Sequence, residues 1–358
     1  MYFLNDSVDF FMGAVGADGF HGYFHELDLE PDIQLHLIKA GPGCGKSTLM
    51  QQVAKASPLP VERIHCSSDP DSLDGVILHK PFAAVLDATA PHVLEPAYPG
   101  ACQQVVDLYH TLDNDFLTAN RCEIVALFQQ CSTLQQRAAR YIAAAANLLE
   151  DSCRAVAKRL DLSKLDRYTR RLAARYLPHT DGTATESIRL LSAITPKGPI
   201  LFHSTIAALA PQKIVFHDEY GSAAPLILAH LRQHALDCGY SIVTCPCPLH
   251  PGRIEHLFIP QLGLAFLTSK SWHLINFEGQ KNIHCTRFEA KDSPKPCSKR
   301  LRFNRKAVQQ LLAQASCAQR EAKQQHDKLE HYYKSAVDFC QVNKITATLI
   351  QRLIPTDC

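Results

Sequence analysis

Slid along itself, the 358-residue sequence repeats once, and that duplication limits what it can fold into more than any other feature. GAVGADGF at residues 13–20 faces SAITPKGP at 192–199, which sets Gly19 against Gly198. ERIHC at 62–66 faces SIVTC at 241–245, setting Cys66 against Cys245. LHKPFAAVLDATAPH at 78–92 faces IPQLGLAFLTSKSWH at 259–273 without a gap, and Asp161 and Leu162 face Asp338 and Phe339. The spacing stays between 177 and 181 residues throughout, so two similar units follow one another. The turn-rich run Pro178, His179, Thr180, Asp181, Gly182 divides them into residues 1–180 and 181–358.

Within a unit the apolar run Leu35, His36, Leu37, Ile38 leads through a glycine turn into a segment with helical spacing that includes Leu49, Met50 and Val53. Residues 61–65 and 83–86 are apolar enough to be buried parallel strands. Residues 101–176 and 303–354 turn polar, rich in Ala, Gln, Leu and Arg, and predict a helical hairpin appended to each core. The expected class is α/β: two units, each a mostly parallel sheet flanked by helices with a helical appendage.

Composition narrows the function classes. With 46% hydrophobic and 20% charged residues, the chain can build a core. No apolar run reaches the roughly 18 residues of a membrane span, and the first residues carry Asp6 and Asp9 instead of a basic leader, so a cytoplasmic protein is expected. A net charge of +2 argues against nucleic acid as the default partner. The basic run Lys295, Lys299, Arg300, Arg302, Arg305, Lys306 reads as a solvated connection. The 14 cysteines read as free thiols. Cys245 and Cys247 near His250 and His256, and the pairs His65–Cys66 and His284–Cys285, lack the spacing of a structural zinc site.

The run AGPGCGKST at residues 40–48 has the spacing of a phosphate-binding P-loop, with Ala40 at the position of the first glycine. In such a loop the backbone of Gly41, Pro42, Gly43, Cys44 and Gly45 curls its N–H groups inward, and the helix behind adds its positive end. Lys46 then bridges the β- and γ-phosphates, Ser47 offers its hydroxyl to Mg²⁺, and Thr48 reaches toward the α-phosphate. Asp87, at the end of the apolar run 83–86, is the expected second metal-holding group. Ala88 and Thr89 follow it in place of a water-activating glutamate. Asp69, Asp71 and Asp74 follow a strand expected to neighbour the loop strand, with Asp69 as the candidate catalytic carboxylate. His92 could orient the γ-phosphate but recurs as His273; Arg137 and Arg140 are candidate phosphate-facing groups in the helical tract.

In the second unit, aligning Leu226 with Leu49 places Ala223 over Lys46, Ala224 over Ser47 and Ser222 over Gly45. Asp218 and Glu219 would repel phosphate there, and Thr268 stands in place of Asp87. The second unit is expected to keep the fold and lose the nucleotide.

LIKAGPGCGKSTLMQQVA, HCSSDPDSLDGVI, VLDATAPHVLEPAYPGA, SAITPKGP and HDKLEHYYKSAVDF together resemble an uncharacterised bacterial family of tandem P-loop ATPase-like proteins, over nearly the whole chain. The resemblance implies two P-loop NTPase-like units and nucleotide binding, with no established reaction. In that family both halves carry the loop and the Asp-x-Thr-Ala-Pro-His segment; here only residues 40–48 and 87–92 do. The expected function is an Mg²⁺-ATP-binding ATPase or ATP-driven switch that uses the first unit only. A small-molecule kinase with a base near Asp69 and a non-catalytic nucleotide-gated scaffold are the alternatives. No Asn/Thr-Lys-x-Asp guanine signature follows, which favours ATP over GTP. The acceptor, any protein or small-molecule partner, and pairing of two chains across the loop face stay open at this level.

Overall fold

The computed structural model describes residues 4–29, 32–290 and 298–354. The first unit runs through β1 (Val8–Phe11), the hairpin β2 (Gly13–Gly16) and β3 (Gly19–Gly22), and a 3-10 turn at Phe24–Leu29. It continues through β4 (Gln34–Lys39), α1 (Lys46–Ala56), β5 (Val61–His65), β6 (Leu73–His79), β7 (Phe82–Asp87), β8 (Gln103–Asp107), α2 (Asn114–Ala119), α3 (Arg121–Ala157) and α4 (Leu162–Tyr176). The second follows the same plan: β9 (Glu186–Ile188), the hairpin β10 (Ser192–Thr195) and β11 (Gly198–Leu201), and α5 (His203–Leu209). Then come β12 (Gln212–His217), α6 (Ala224–Asp237), β13 (Ile242–Pro246), β14 (Ile254–Ile259), β15 (Leu264–Ser269), β16 (Lys281–His284), α7 (Ser298–Ala336) and α8 (Phe339–Leu353).

The six-stranded sheets have matching strand orders, β1-β5-β6-β7-β4-β8 and β9-β13-β14-β15-β12-β16. The duplicated two-unit α/β architecture is therefore present in full. Matched features carry the repeat down to single residues: Gly19 and Gly198 turn the two hairpins at φ +106° and +101°, and Asp161 and Asp338 cap α4 and α8 through their carboxylates.

Residues 103–107, inside the tract 101–176 expected to be a helical hairpin, form the edge strand β8 beside β4 instead, and two further sequence expectations change. The sheet is mixed, because β5 turns straight back into β6, which runs antiparallel to both its neighbours. Consequently β5 lies three places from β4, and Asp69 does not follow a strand adjacent to the loop strand; β7, which ends in Asp87, does neighbour it. Asp74 lies on β6 itself, not in the loop. The pairing registers also match Cys66 with Cys247 instead of Cys245, since Glu62 faces Ile77 as Val243 faces Phe258.

The second change concerns the helices. The end of each appendage packs on the opposite unit, while α3 and α7 also touch the hairpins of their own units. α3 and α7 run antiparallel, tied by Arg137 to Glu321 and by Asn304 to Asp151. With 37 residues, α3 is about 55 Å long. α8 then packs Val342, Leu349 and Leu353 against Leu49, Met50 and Val53 of α1, in the first unit. α4 packs Leu165, Leu172 and Ala173 against Ile227, Leu228 and Leu231 of α6, in the second. Backbone bonds lock both crossings: Asp338 N–H to Thr111 O at 2.9 Å and Asp161 N–H to Phe288 O at 2.8 Å.

Strand alternation divides each sheet between two cores. Leu35, Leu37, Ala84 and Leu86 point to one side and join Val215, Phe258, Ala265 and Leu267 of the second unit in a single shared core. Ile38, Ala83 and Val85 point to the other and meet α1 and α8. At the edges of the sheets Phe11 and Leu190 exchange two backbone hydrogen bonds of 2.8 Å. Behind them, buried Arg189 reaches Glu62 at 2.8 Å across the unit boundary. Among the described residues no helix is long and apolar enough to cross a membrane.

Candidate functional site

The loop of residues 40–45 joins the end of β4 to α1. Gly43 and Gly45 hold φ of +70° and +86°, a region costly for any residue with a Cβ, which is why glycine stands at both. The turn this makes starts α1 at Lys46, and among the described residues no side chain caps the helix. Its first N–H groups lie at the carboxyl edge of the sheet, where the positive end of the helix dipole favours an anion.

Lys46 folds back over the loop. Its ammonium donates to the carbonyls of Ala40 (3.3 Å) and Gly41 (3.2 Å) and to Thr89 Oγ1 (3.2 Å), with Asp87 Oδ2 at 3.4 Å. Asp87 Oδ1 accepts from the Thr89 N–H (2.9 Å) and hydroxyl (2.5 Å), which orients the carboxylate. Lys46 and Asp87 therefore come together as their strands' adjacency requires. Ser47 Oγ accepts from the Leu73 N–H at 2.9 Å, tying α1 to the start of β6. Cys44 is buried, which raises its thiol pKa, and Thr48 is exposed.

The carboxylates after β5 are all engaged. Asp69 accepts from the Ser72 hydroxyl (2.9 Å) and lies 3.2 Å from Lys323 of α7. Asp71 pairs with Lys197 at 2.6 Å in the β10–β11 turn. Asp74 pairs with His92 at 3.0 Å, both buried. Burial works against the His92 charge, yet the Asp74 carboxylate holds its pKa above the ordinary value. Arg137 is held by Glu321 and Arg140 is exposed on α3. Of the basic run, expected as a solvated connection, Lys295 lies outside the described residues, while Lys299, Arg300, Arg302, Arg305 and Lys306 form the first turns of α7, where Arg300 pairs with Asp151.

The outer side of the loop is closed by the second unit, a feature with no local sequence signal because the partners lie nearly 300 residues away. A Cβ on Gly41 would come within 2.5 Å of the Tyr333 ring, and one on Gly43 within 2.9 Å of the Glu330 carbonyl oxygen. α8 adds Val342 and Phe339 beside Gly45. Glycine here answers to close packing by α7 as well as to backbone angle.

The second unit's loop differs in register from the sequence alignment. Gln34 faces Ala83 as Gln212 faces Leu264, so Ala224 stands at the Lys46 position, one residue beyond Ala223; Pro225 stands at Ser47 and Asp218 at Ala40. Asp218 does not merely repel anions from the cradle. Its Oδ2 accepts from the N–H groups of Ala223 and Ala224, both at 2.7 Å, so a carboxylate fills the place an anion would take at α6. Lys270, at the Thr89 position, brings an ammonium from the neighbouring strand and pairs with buried Glu255. What remains open is a cavity of about 20 Å³ beside Glu219, Tyr220, Thr268 and Lys270, room for one water.

The ligand atoms of Glu255, His256 and His273 lie within 4.8 Å of one another, all buried. Two observations favour a salt-bridge network over a metal centre. Lys270 supplies a cation in contact with Glu255. The Thr268 N–H donates to His256 Nδ1 at 3.3 Å, so the neutral ring carries its proton on Nε2, the nitrogen that faces Glu255. Glu255 also meets His273 at 3.1 Å, repeating Asp74 and His92. That pair persists where the loop's lysine and serine are gone, so the fold keeps it independently of them. Family models, curated proteins and solved structures were compared with the chain, and none of the three comparisons finds a match.

Proposed function

We propose that the first unit is a P-loop nucleotide site that binds one Mg²⁺-ATP per chain and works as an ATPase or ATP-driven switch, while the second is its nucleotide-free counterpart. One observation carries this reading: among the described residues the N–H groups that open α1 meet no side-chain acceptor, whereas the equivalent groups of α6 are filled by Asp218. The β-phosphate would lie in the loop of residues 41–45, with Lys46 released from the carbonyls of Ala40 and Gly41 to bridge to the γ-phosphate. Ser47 and Asp87 offer the hard oxygen ligands that Mg²⁺ prefers, and the ion would neutralise charge on the β- and γ-phosphates. A switch is favoured over a kinase because Asp69, the candidate base, is already bound to Ser72 and Lys323, while α7 rests on the loop and would register its occupancy.

The test uses γ-labelled ATP with the native chain and Lys46→Ala, with and without a metabolite extract, together with calorimetry. One site per chain and Lys46-dependent release of free phosphate are expected, with the variant slower by about tenfold or more, the range for a lost charge-assisted contact. Equal release from both proteins would sink the ATPase reading. Two equivalent sites would show that Asp218 does not close the second loop, and a labelled metabolite would move the protein to the kinase class.

A further inference from the structure

We infer that Lys323, on α7 of the second unit, is the residue that tells a nucleoside triphosphate from a diphosphate in the first unit's loop, by exchanging Asp69 for the γ-phosphate. The inference rests on the nucleotide reading above and gives that site its regulation.

The argument starts from the face α7 turns to the loop edge. Tyr333 and Glu330 touch Gly41 and Gly43. One turn further back is His326, close enough to Lys46 for the two charges to interact, and its pKa is pushed down by burial first. Another turn back, Lys323 reaches Asp69 at 3.2 Å. Steps of three and four residues keep these groups on one stripe of a single rigid helix. The stripe begins on the glycines that would cradle the β-phosphate and runs about 15 Å along the carboxyl edge of the sheet, past Lys46. A γ-phosphate extends beyond the cradle on the Lys46 side, so this stripe passes the position where the third phosphate is present or missing.

Lys323 is the group on this stripe suited to respond. Its side chain is about 30% exposed, and its ammonium is shared between Asp69 and Asp327 at 3.2 and 2.8 Å. It therefore has an alternative anion within reach and a flexible stem on which to move. Asp69 is itself steadied by the Ser72 hydroxyl and stays in place when the lysine leaves. In the diphosphate state Lys323 keeps Asp69; in the triphosphate state it turns to the γ-phosphate. Because α7 is also half of the antiparallel pair with α3 and continues toward α8, a change of partner at Lys323 acts on the element that joins the two units.

The test measures binding of ADP and of a non-hydrolysable ATP analogue, both with Mg²⁺, to the native full-length chain, Lys323→Met and Asp69→Asn. Lys323→Met is expected to weaken the triphosphate analogue about tenfold and leave ADP within twofold. Asp69→Asn is expected to shift the preference the opposite way, by several-fold, because it removes the competing carboxylate. Opposite shifts in the two variants separate a reading role from a structural one, since loss of a helix-to-loop salt bridge would weaken both nucleotides together in both variants. Parallel losses, or an unchanged ratio in Lys323→Met, overturn the assignment while leaving the nucleotide site standing. A native chain that binds neither nucleotide overturns both.

Discussion

Asp218 shows how one side chain can close a site. Asp218 stands at the end of the strand where the first unit has Ala40, and its carboxylate satisfies two of the N–H groups that would otherwise be available at the helix start. Asp218→Ala should cost about 1–2 kcal/mol, as for other lost helix-start acceptors. Sulfate should restore part of that loss by filling the vacated amides, read as the change in urea midpoint with salt; a loss that sulfate leaves untouched would contradict the assignment. Asp9 offers a second test at this scale. Despite burial, which opposes its charge, hydrogen bonds from His65 and Arg63 lower its pKa from 3.8 to about 2. The unfolded chain takes up that proton first as pH falls, so the stabilisation is complete above pH 4 and is lost between pH 4 and 2, about 2 kcal/mol in all. Asp9→Asn should flatten that part of the stability profile measured by urea unfolding; an equally steep profile in the variant would assign the acid sensitivity elsewhere.

At the scale of elements, the exchanged helices explain features that no single unit needs. α1 buries Leu49, Met50 and Val53, but the residues that cover them come from α8. Each buried Leu or Val contributes about 1.5–3 kcal/mol, so removing Val342, Leu349 and Leu353 together costs roughly 5–9 kcal/mol, comparable with the whole margin of about 5–15 kcal/mol of an ordinary domain. A chain ending before Phe339 is therefore expected to lose the first unit's fold, although every first-unit residue is present. Hydrogen exchange over α1 and β7 would show it, and native-like protection there would mean α8 is dispensable. The helical spacing of α3, α4, α7 and α8 was readable as helix because local periodicity reports an amphipathic face, whereas β8 inside the first tract was not. Which surface that face covers depends on contacts between distant segments, about 60 residues apart for α4 and α6 and some 300 for α1 and α8, on which periodicity is silent.

Taken whole, the two units share a central core, flanked by one core under α1 and α8 and another under α4 and α6. Leu35, Leu37 and Leu86 share a core with Val215, Phe258 and Leu267, the sheet edges meet at Phe11 and Leu190, and the terminal helices cross. Thermal unfolding should therefore be a single cooperative transition by calorimetry, with calorimetric and van't Hoff enthalpies in agreement. Two resolved transitions would mean that the shared core is weaker than either sheet. Residues 1–180 alone should not fold, whereas co-expression with residues 181–358 should recover a complex that elutes as the intact chain.

The sequence by itself determined the duplication, the α/β class, the loop with its Gly43, Gly45 and Lys46, the adjacent Asp87, and the absence of the loop's lysine and serine from the second half. These follow from short-range rules: backbone freedom at glycine, alternation in strands, and residue types at fixed spacing. Tertiary structure alone decided that β6 separates β5 from the loop strand, that Asp218 fills the second cradle, and that α7 and α8 close the first. Those outcomes depend on which distant surfaces bury each other. A repeated sequence satisfies the same apolar patterns whether its helices stay home or cross over, and packing between the halves selects the crossing.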